Sequence, residues 1–501
     1  MLVGAVIAGY ALLVYLPYDV RTSFLLDDYT MIEHFRFGTW LPTYRPTFKL
    51  EMDVTNYFFG DTPHGYYVLL GVLAAAVGVL LFGALRSLGL SVVPAAIAGA
   101  LIVAYPRADA VTLWWSSSSA LALCLGLGSV WMGSLWMRRT GRALGLLVPS
   151  LTLMAASVLC YESIFPLFLL MLCFFPLSAR RRRLLGIAAM EGATACVAAL
   201  YMFVSEAGAR NALPVSAYAG RIRQLVISGL HAYSLGGVGA PMKIGLLAAA
   251  GVVVAMAVAL AASGPSALFQ GLEPLGRLLM AVPLLAVAAF VSLVPFIPAP
   301  AYYIPQGVGT ANRVNALPQV FIVTAIGIIM WVAARVASGW RHPGVAAVLA
   351  AAASVVVVGA SVGSVHQDES GYLAAAHYRN TVLTEVRRLV PSTPASGSVI
   401  FIGDYVQNMG PPGNPAYPTI QNEWDASATL QLMYGAADFS AWTLSPATQC
   451  RATSVFSALL GTTTDVPYPN ATIIDIAHHR VFRFSGQKKC LADLPRMTEP
   501  T

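Results

Sequence analysis

The chain has 501 residues, 57% of them hydrophobic and only 11% charged, with a formal net charge of +7 and a mean hydropathy of +0.68. Soluble domains carry about a quarter charged residues, so a wholly water-soluble enzyme is excluded and much of this chain faces lipid. The positive balance does not point to nucleic acid, because the basic residues stand in short clusters between apolar runs, the distribution that sets membrane topology.

A bilayer core takes about 20 apolar residues per helix. On that measure about eleven spans are expected, over 2–18, 66–86, 90–105, 112–137, 144–160, 163–178, 184–205, 243–263, 278–297, 314–336 and 343–363. The run Leu2–Pro17 has no basic leader and no small-x-small cleavage site after it, so it reads as a retained first span and not as a signal peptide. The fifth and sixth spans are close enough to form a tight hairpin. One set of connections holds Arg86, Arg138, Arg139, Arg142, Arg180 to Arg183, Arg277, Arg335 and Arg341, against Glu273 alone. By the positive-inside rule these loops are cytoplasmic, as is the N-terminus.

The alternate, outer loops are longer and more varied, and loops of that kind carry function. Residues 19–65 form the first and hold the adjacent acids Asp27 and Asp28. Such a pair beside a membrane can deprotonate an acceptor, hold a divalent cation, or be a solvated loop. In 206–242 the residues Ile222, Leu225, Val226 and Leu230, set against Arg221, Arg223 and Gln224, suggest an interfacial helix. After residue 364 the composition turns polar. A helix over 372–390 and strands at 398–404, 472–476 and 480–484 make a small α/β domain. The division is therefore a membrane domain, 1–363, and an extracytoplasmic domain, 364–501. Cys450 and Cys490 lie in the latter, where a disulfide is permitted. Cys124, Cys160, Cys173 and Cys196 fall in spans as packing residues. Glu191 falls in a span near Arg180–Arg183, where a cytoplasmic ion pair accounts for it. Trp424 and Trp442 are candidates either to stack on sugars or to fill the core.

Further polar groups recur at the outer ends of the spans. Tyr44-Arg45-Pro46 lies in the first loop, and His64-Gly65-Tyr66-Tyr67 enters the second span. Pro106-Arg107-Ala108-Asp109 precedes Trp114-Trp115, Tyr161-Glu162 joins the fifth and sixth spans, and Asn312-Arg313 opens the tenth. In this order and topology the motifs resemble those of the polytopic glycosyltransferases of the GT-C fold, over roughly residues 1–335. That group includes protein O-mannosyltransferases and bacterial enzymes acting on lipid A, O-antigen or cell-wall polysaccharide.

The resemblance implies an α-helical polytopic membrane protein in a bacterial cytoplasmic membrane. It would transfer a sugar from a polyprenyl-phosphate donor to an outer acceptor, whether glycan, glycolipid or protein. By the same token Asp27 or Asp28 is the catalytic carboxylate, with Asp27 favoured. Arg45, Arg107 and Arg313 are candidates for the donor phosphate, since guanidinium binds phosphate oxygens bidentately. His64, Asp109 and Glu162 are candidates to orient those groups or to bind the acceptor; the alternatives are a structural ion pair for Glu162, a structural role for His64, and interfacial snorkelling for Arg107 and Arg313. Single displacement implies inversion. Relatives differ in metal use, and Asp27 and Asp28 would be the ligands of a cation such as Mg or Mn. One departure stands out: relatives often carry Lys where this chain has Tyr161. The rival readings are a flippase of lipid-linked glycans, against which the acids cluster at one face, and a non-catalytic anchor for a glycan-binding or partner-binding outer domain.

Overall fold

The computed structural model describes residues 2–25, 27–38, 45–106, 108, 110–139, 144–206, 215–233, 275–299, 303–306, 309–337, 343–403, 405–409, 417–420, 423–459 and 462–494. Two compact units divide them. The first comprises Met1–Val20, Pro42–Met52 and His64–Glu369; the second comprises Arg21–Leu41, Asp53–Pro63 and Ser370–Thr501.

The first unit is helical because lipid offers backbone groups no partners, so each crossing segment must satisfy its own. Among the described residues seven helices are long and apolar enough to cross a bilayer, among them Leu2–Asp19, Pro63–Leu88, Ser119–Arg138 and Pro318–Ala337. Three shorter apolar helices, Val92–Val103, Leu144–Cys160 and Glu162–Cys173, fall on further expected spans. The span expected over 243–263 lies outside the described residues. The fifth and sixth segments do form a tight hairpin, with the single extended residue Tyr161 between them.

Close helix approach relies on small residues. A Cβ on Gly78 would stand 2.8 Å from the Gly99 carbonyl oxygen and 2.7 Å from Val103, so the helices Pro63–Leu88 and Val92–Val103 meet backbone to backbone there. Three of the expected inner loops are tied by their arginines. Arg138 donates to the Arg86 carbonyl at 3.0 Å, Arg180 to that of Met137 at 2.9 Å and Arg183 to that of Arg139 at 2.7 Å. Cations are favoured at helix C-termini, where carbonyls are left without helical partners.

Several sequence expectations need correction. The fourth span does not run from 112: Ala110–Leu113 ends early, Trp115–Ser117 is a 3-10 turn, and the long helix begins at Ser119. The cause is the run Ser116 to Ser119, whose hydroxyls compete for backbone bonds, with Ser118 at a left-handed φ of 50°. Glu191 is not paired with the arginines. It is fully buried and accepts from the Ser150 hydroxyl at 2.6 Å, because eight helical residues carry it about 12 Å from Arg183. Cys196 is exposed and not a packing residue. The expected interfacial helix is present as Tyr218–Tyr233, and Ile222, Val226 and Leu230 are exposed on it. Its Arg221 is buried instead, donating to the carbonyls of Phe296 at 3.4 Å and Tyr303 at 2.5 Å.

The last span and the expected 372–390 helix are one unbroken helix, Pro343–Leu389, so no change of secondary structure marks residue 363. The second unit is built on a sheet ordered 440–443, 399–403, 471–475, 480–483, parallel except for the last pair. The strand Val399–Gly403 is buried on both faces. Its alternation sends Val399 and Phe401 to a core with Trp442 and Cys490, and Ile400 and Ile402 to one with Val382, Val386 and Leu430. Cys450 and Cys490 form a disulfide.

Overpacking a close crossing costs about 1–3 kcal/mol. Gly78→Val is therefore expected to lower the melting temperature of the detergent-solubilised protein. Gly145→Ala, where an added Cβ meets nothing within 4 Å, should leave it unchanged.

Candidate active site

In the first unit the motif residues at the span ends come together around the hairpin. Arg45 donates to Glu162 at 2.7 Å across 117 residues of sequence, each side chain about one-fifth exposed (22%). The Arg45 guanidinium also lies 5.4 Å from the centre of the Tyr161 ring. Arg313, in the 3-10 turn Thr310–Asn315, stands 4.5 Å over Trp114 and donates to the Tyr303 hydroxyl at 3.1 Å. The Asn312 side-chain oxygen accepts from the Ala110 backbone N–H at 3.0 Å, which draws the 106–110 turn to the turn carrying Arg313. Trp115 packs on Tyr66 at 4.3 Å. The Tyr161 hydroxyl and the Trp114 indole N–H are buried and meet no hydrogen-bond partner among the described residues. This is a donor-rich cluster, two guanidiniums and two unused N–H or O–H groups, of the kind that suits an anion.

An apolar groove of about 630 Å³ starts beside that cluster. It is lined by Pro46, the residue after Arg45, by Leu159, two before Tyr161, and by Ala155, Ala193, Val197 and Tyr201.

In the second unit the acidic pair splits. Asp27 and Asp28 open the helix Asp27–Phe37. Asp28 is fully buried, and its Oδ2 accepts the Leu25 N–H at 2.9 Å while its own N–H donates to the Leu25 carbonyl at 2.9 Å. The carboxylate thus caps a backbone N–H ahead of the helix, the acidic half of a capping box, and a backbone turn supplies the return bond. Adjacent helical side chains point about 100° apart, and Asp27 is turned out, half-buried, where its Oδ1 accepts the Trp424 indole N–H at 3.0 Å. Behind it Arg379 is fully buried, 4.6 Å over the Tyr29 ring, donating to the Ser23 hydroxyl at 2.7 Å. Burial pushes the Tyr29 hydroxyl up; Arg379 opposes that, and the carboxylates of Asp425 and Asp28 add to it.

Of the other expected site residues, His64 is exposed in the first turn of Pro63–Leu88, and Arg107 and Asp109 lie outside the described residues. Among the described residues no three His, Cys, Asp or Glu side chains are placed to hold a metal ion. The acidic pair itself does not fit a two-carboxylate cation site, because Asp28 is sealed in the helix cap.

Two groups escaped the sequence reading. Arg379 comes from a segment that reads as an ordinary amphipathic helix. Glu51 reads as a loop acid, yet it is buried in the helix Pro46–Phe59, where the Cys160 thiol donates to its Oε2 at 3.8 Å. The spacing Phe48, Glu51, Met52, which puts it on the apolar face of a helix, was the signal available.

No protein-family model matches the chain, and no curated protein matches it. Among solved structures it is similar to ArnT from Cupriavidus metallidurans in the apo state, at 12% identity and a TM-score of 0.40, over 79% of this chain and 81% of that one. ArnT bound to undecaprenyl phosphate gives 14% identity and a TM-score of 0.38, over 79% and 82%. The Archaeoglobus fulgidus oligosaccharyltransferase in complex with Zn and sulfate gives 12% and 0.44, over 94% and 73%. These are distant likenesses, and what the chain does rests on its own residues.

Burial pushes the Glu51 carboxyl up to about 7, with hydrogen bonds from Ser118 and Cys160 pulling it partly back. A carboxyl raised in the folded state favours folding at low pH, and that advantage is lost as pH rises through the folded value. The melting temperature is thus expected to fall between about pH 5 and 8, by up to roughly 3 kcal/mol of stability from this group. Glu51→Gln should flatten that part of the profile in a thermal-shift series.

Proposed function

We propose that this protein is a GT-C-type glycosyltransferase that moves a sugar from a polyprenyl-phosphate donor to an acceptor hydroxyl on the extracytoplasmic side of a bacterial cytoplasmic membrane. The observation that carries the reading is Arg45. A half-buried guanidinium stands one residue from an apolar groove, the pairing that a phosphate on a long hydrocarbon tail requires. A soluble nucleotide-sugar has no use for such a groove.

In this reading the tail lies along Ala155, Leu159 and Val197, and Arg45 and Arg313 hold the phosphate, with Arg107 as a third candidate. Tyr161, where relatives often carry Lys, supplies a neutral hydroxyl donor between two arginines. Glu162 keeps the Arg45 fork in one orientation, a role that a carboxylate at an embedded turn can sustain only with a partner.

The acceptor oxygen attacks the anomeric carbon and gives its proton to Asp27. The bond from that carbon to the phosphate oxygen breaks, and the polyprenyl phosphate departs with the electron pair. The leaving group is already a stable anion, so the protein's work is positioning and neutralising charge. Asp28 serves the helix start and takes no proton. The second unit, by this reading, is the extracytoplasmic part of the enzyme.

The test is turnover of labelled polyprenyl-phosphate sugars by the purified protein. Removal of a general base costs about 10²–10⁴-fold, so Asp27→Asn should lose turnover by that factor with its melting temperature kept. Asp28→Ala should do the reverse, losing about 1 kcal/mol of stability and less than tenfold in rate. Product NMR should show the inverted anomer. Full turnover in Asp27→Asn, or retention of configuration, would reject the mechanism.

A further inference from the structure

The second unit holds two tryptophans beyond residue 370, and their fates differ. Trp442 is buried in the sheet core. Trp424, in the first turn of the helix Glu423–Tyr434, is 43% exposed. Its indole N–H is committed to Asp27 at 3.0 Å, so the ring is held in one orientation with apolar surface left facing solvent. An exposed tryptophan that is pinned, and not free to fold down onto the protein, is a preformed platform.

The groups around that platform define what it suits. Glu423, next to it, has a buried Oε2 with no hydrogen-bond partner among the described residues. The indole bond uses Oδ1 of Asp27 and leaves Oδ2 for another donor. Arg379, fully buried on the far side of Tyr29, has Nε and Nη1 without partners among the described residues. An aromatic face carries negative charge density and attracts the slightly positive C–H hydrogens of an apolar ring face. Carboxylate oxygens at its edge accept hydroxyl hydrogens. A ring with a C–H face and a hydroxyl edge is a sugar. An extended peptide would instead call for an open strand edge or a row of side-chain pockets, and nothing described around Trp424 provides either.

We infer that Trp424 forms the acceptor subsite, that the acceptor is a saccharide, and that one indole both stacks on its ring and holds Asp27 at the ring's hydroxyl edge. The inference rests on the proposed role of Asp27 as base for its catalytic half only; the saccharide-binding half stands without it. Trp424 is then a binding residue through its face and a positioning residue through its N–H, and two substitutions separate the two. Trp424→Phe keeps a platform and removes the N–H. Trp424→Leu removes both and keeps apolar bulk.

The experiment is saturation-transfer NMR on the full-length protein in nanodiscs. The probes are methyl glycosides of the common hexoses and pentoses, their disaccharides, and a neutral Ser/Thr pentapeptide as the alternative acceptor class. The expected result is transfer to the C–H protons on one face of a glycoside, kept in Trp424→Phe, weakened less than in Trp424→Leu by Asp27→Asn, which loses one edge acceptor, and about tenfold weaker in Trp424→Leu at an unchanged melting temperature. Where a donor turns over, Trp424→Phe should lower kcat while leaving the acceptor KM, and Trp424→Leu should raise that KM. A short glycan and a glycolipid share the headgroup, and their kcat/KM ratio tells them apart. Trp424-dependent glycoside binding with no turnover of any lipid-linked sugar would remove the proposed transferase and leave the subsite. Binding of no glycoside, equal binding in Trp424→Leu, or binding of the pentapeptide alone would overturn the inference.

Discussion

The first unit ties its first loop to the hairpin at Tyr161 through the ion pair between Arg45 and Glu162. A charge at the end of a lipid-facing hairpin is tolerated only when compensated, and here the compensation comes from a loop more than a hundred residues earlier in the chain. The pair therefore does two things at once. It gives the carboxylate at the Tyr161 hairpin a cationic partner, and it fixes the guanidinium of the residue that precedes Pro46 in the groove lining.

The second unit solves a related problem by dividing labour between neighbours. Two adjacent acids repel, and a helix separates them by geometry: one carboxylate is folded back into the backbone at Leu25, the other projects toward Trp424. Arg379 sits behind as buried positive charge. The loop holding the pair belongs to the same compact unit as the C-terminal sheet.

Much of the span pattern was legible because it is written in long windows of composition, and the α/β strands because alternation and turns are local. The motif residues at the span ends were legible by type and order. What could not be read depends on partners far away or on geometry that composition does not encode. Leu25 carries no side-chain acceptor, so nothing local announces that Asp28 turns back onto its N–H. Glu191 stands near arginines in sequence, but a helix carries it deep among serines. Arg379 meets Ser23, and Trp424 meets Asp27, across separations of 356 and 397 residues, and no local pattern points to either.

That last separation has a consequence in time. Ribosomes add about 5–20 residues per second, so Trp424 is synthesised some 20–80 seconds after Asp27 has left the peptidyl-transferase centre. Throughout that interval the first loop exists without its indole partner, and until residue 379 is added it lacks the guanidinium of Arg379 as well. A nascent or truncated chain that already carries its early helices thus lacks both of the side chains that hold the start of the first loop.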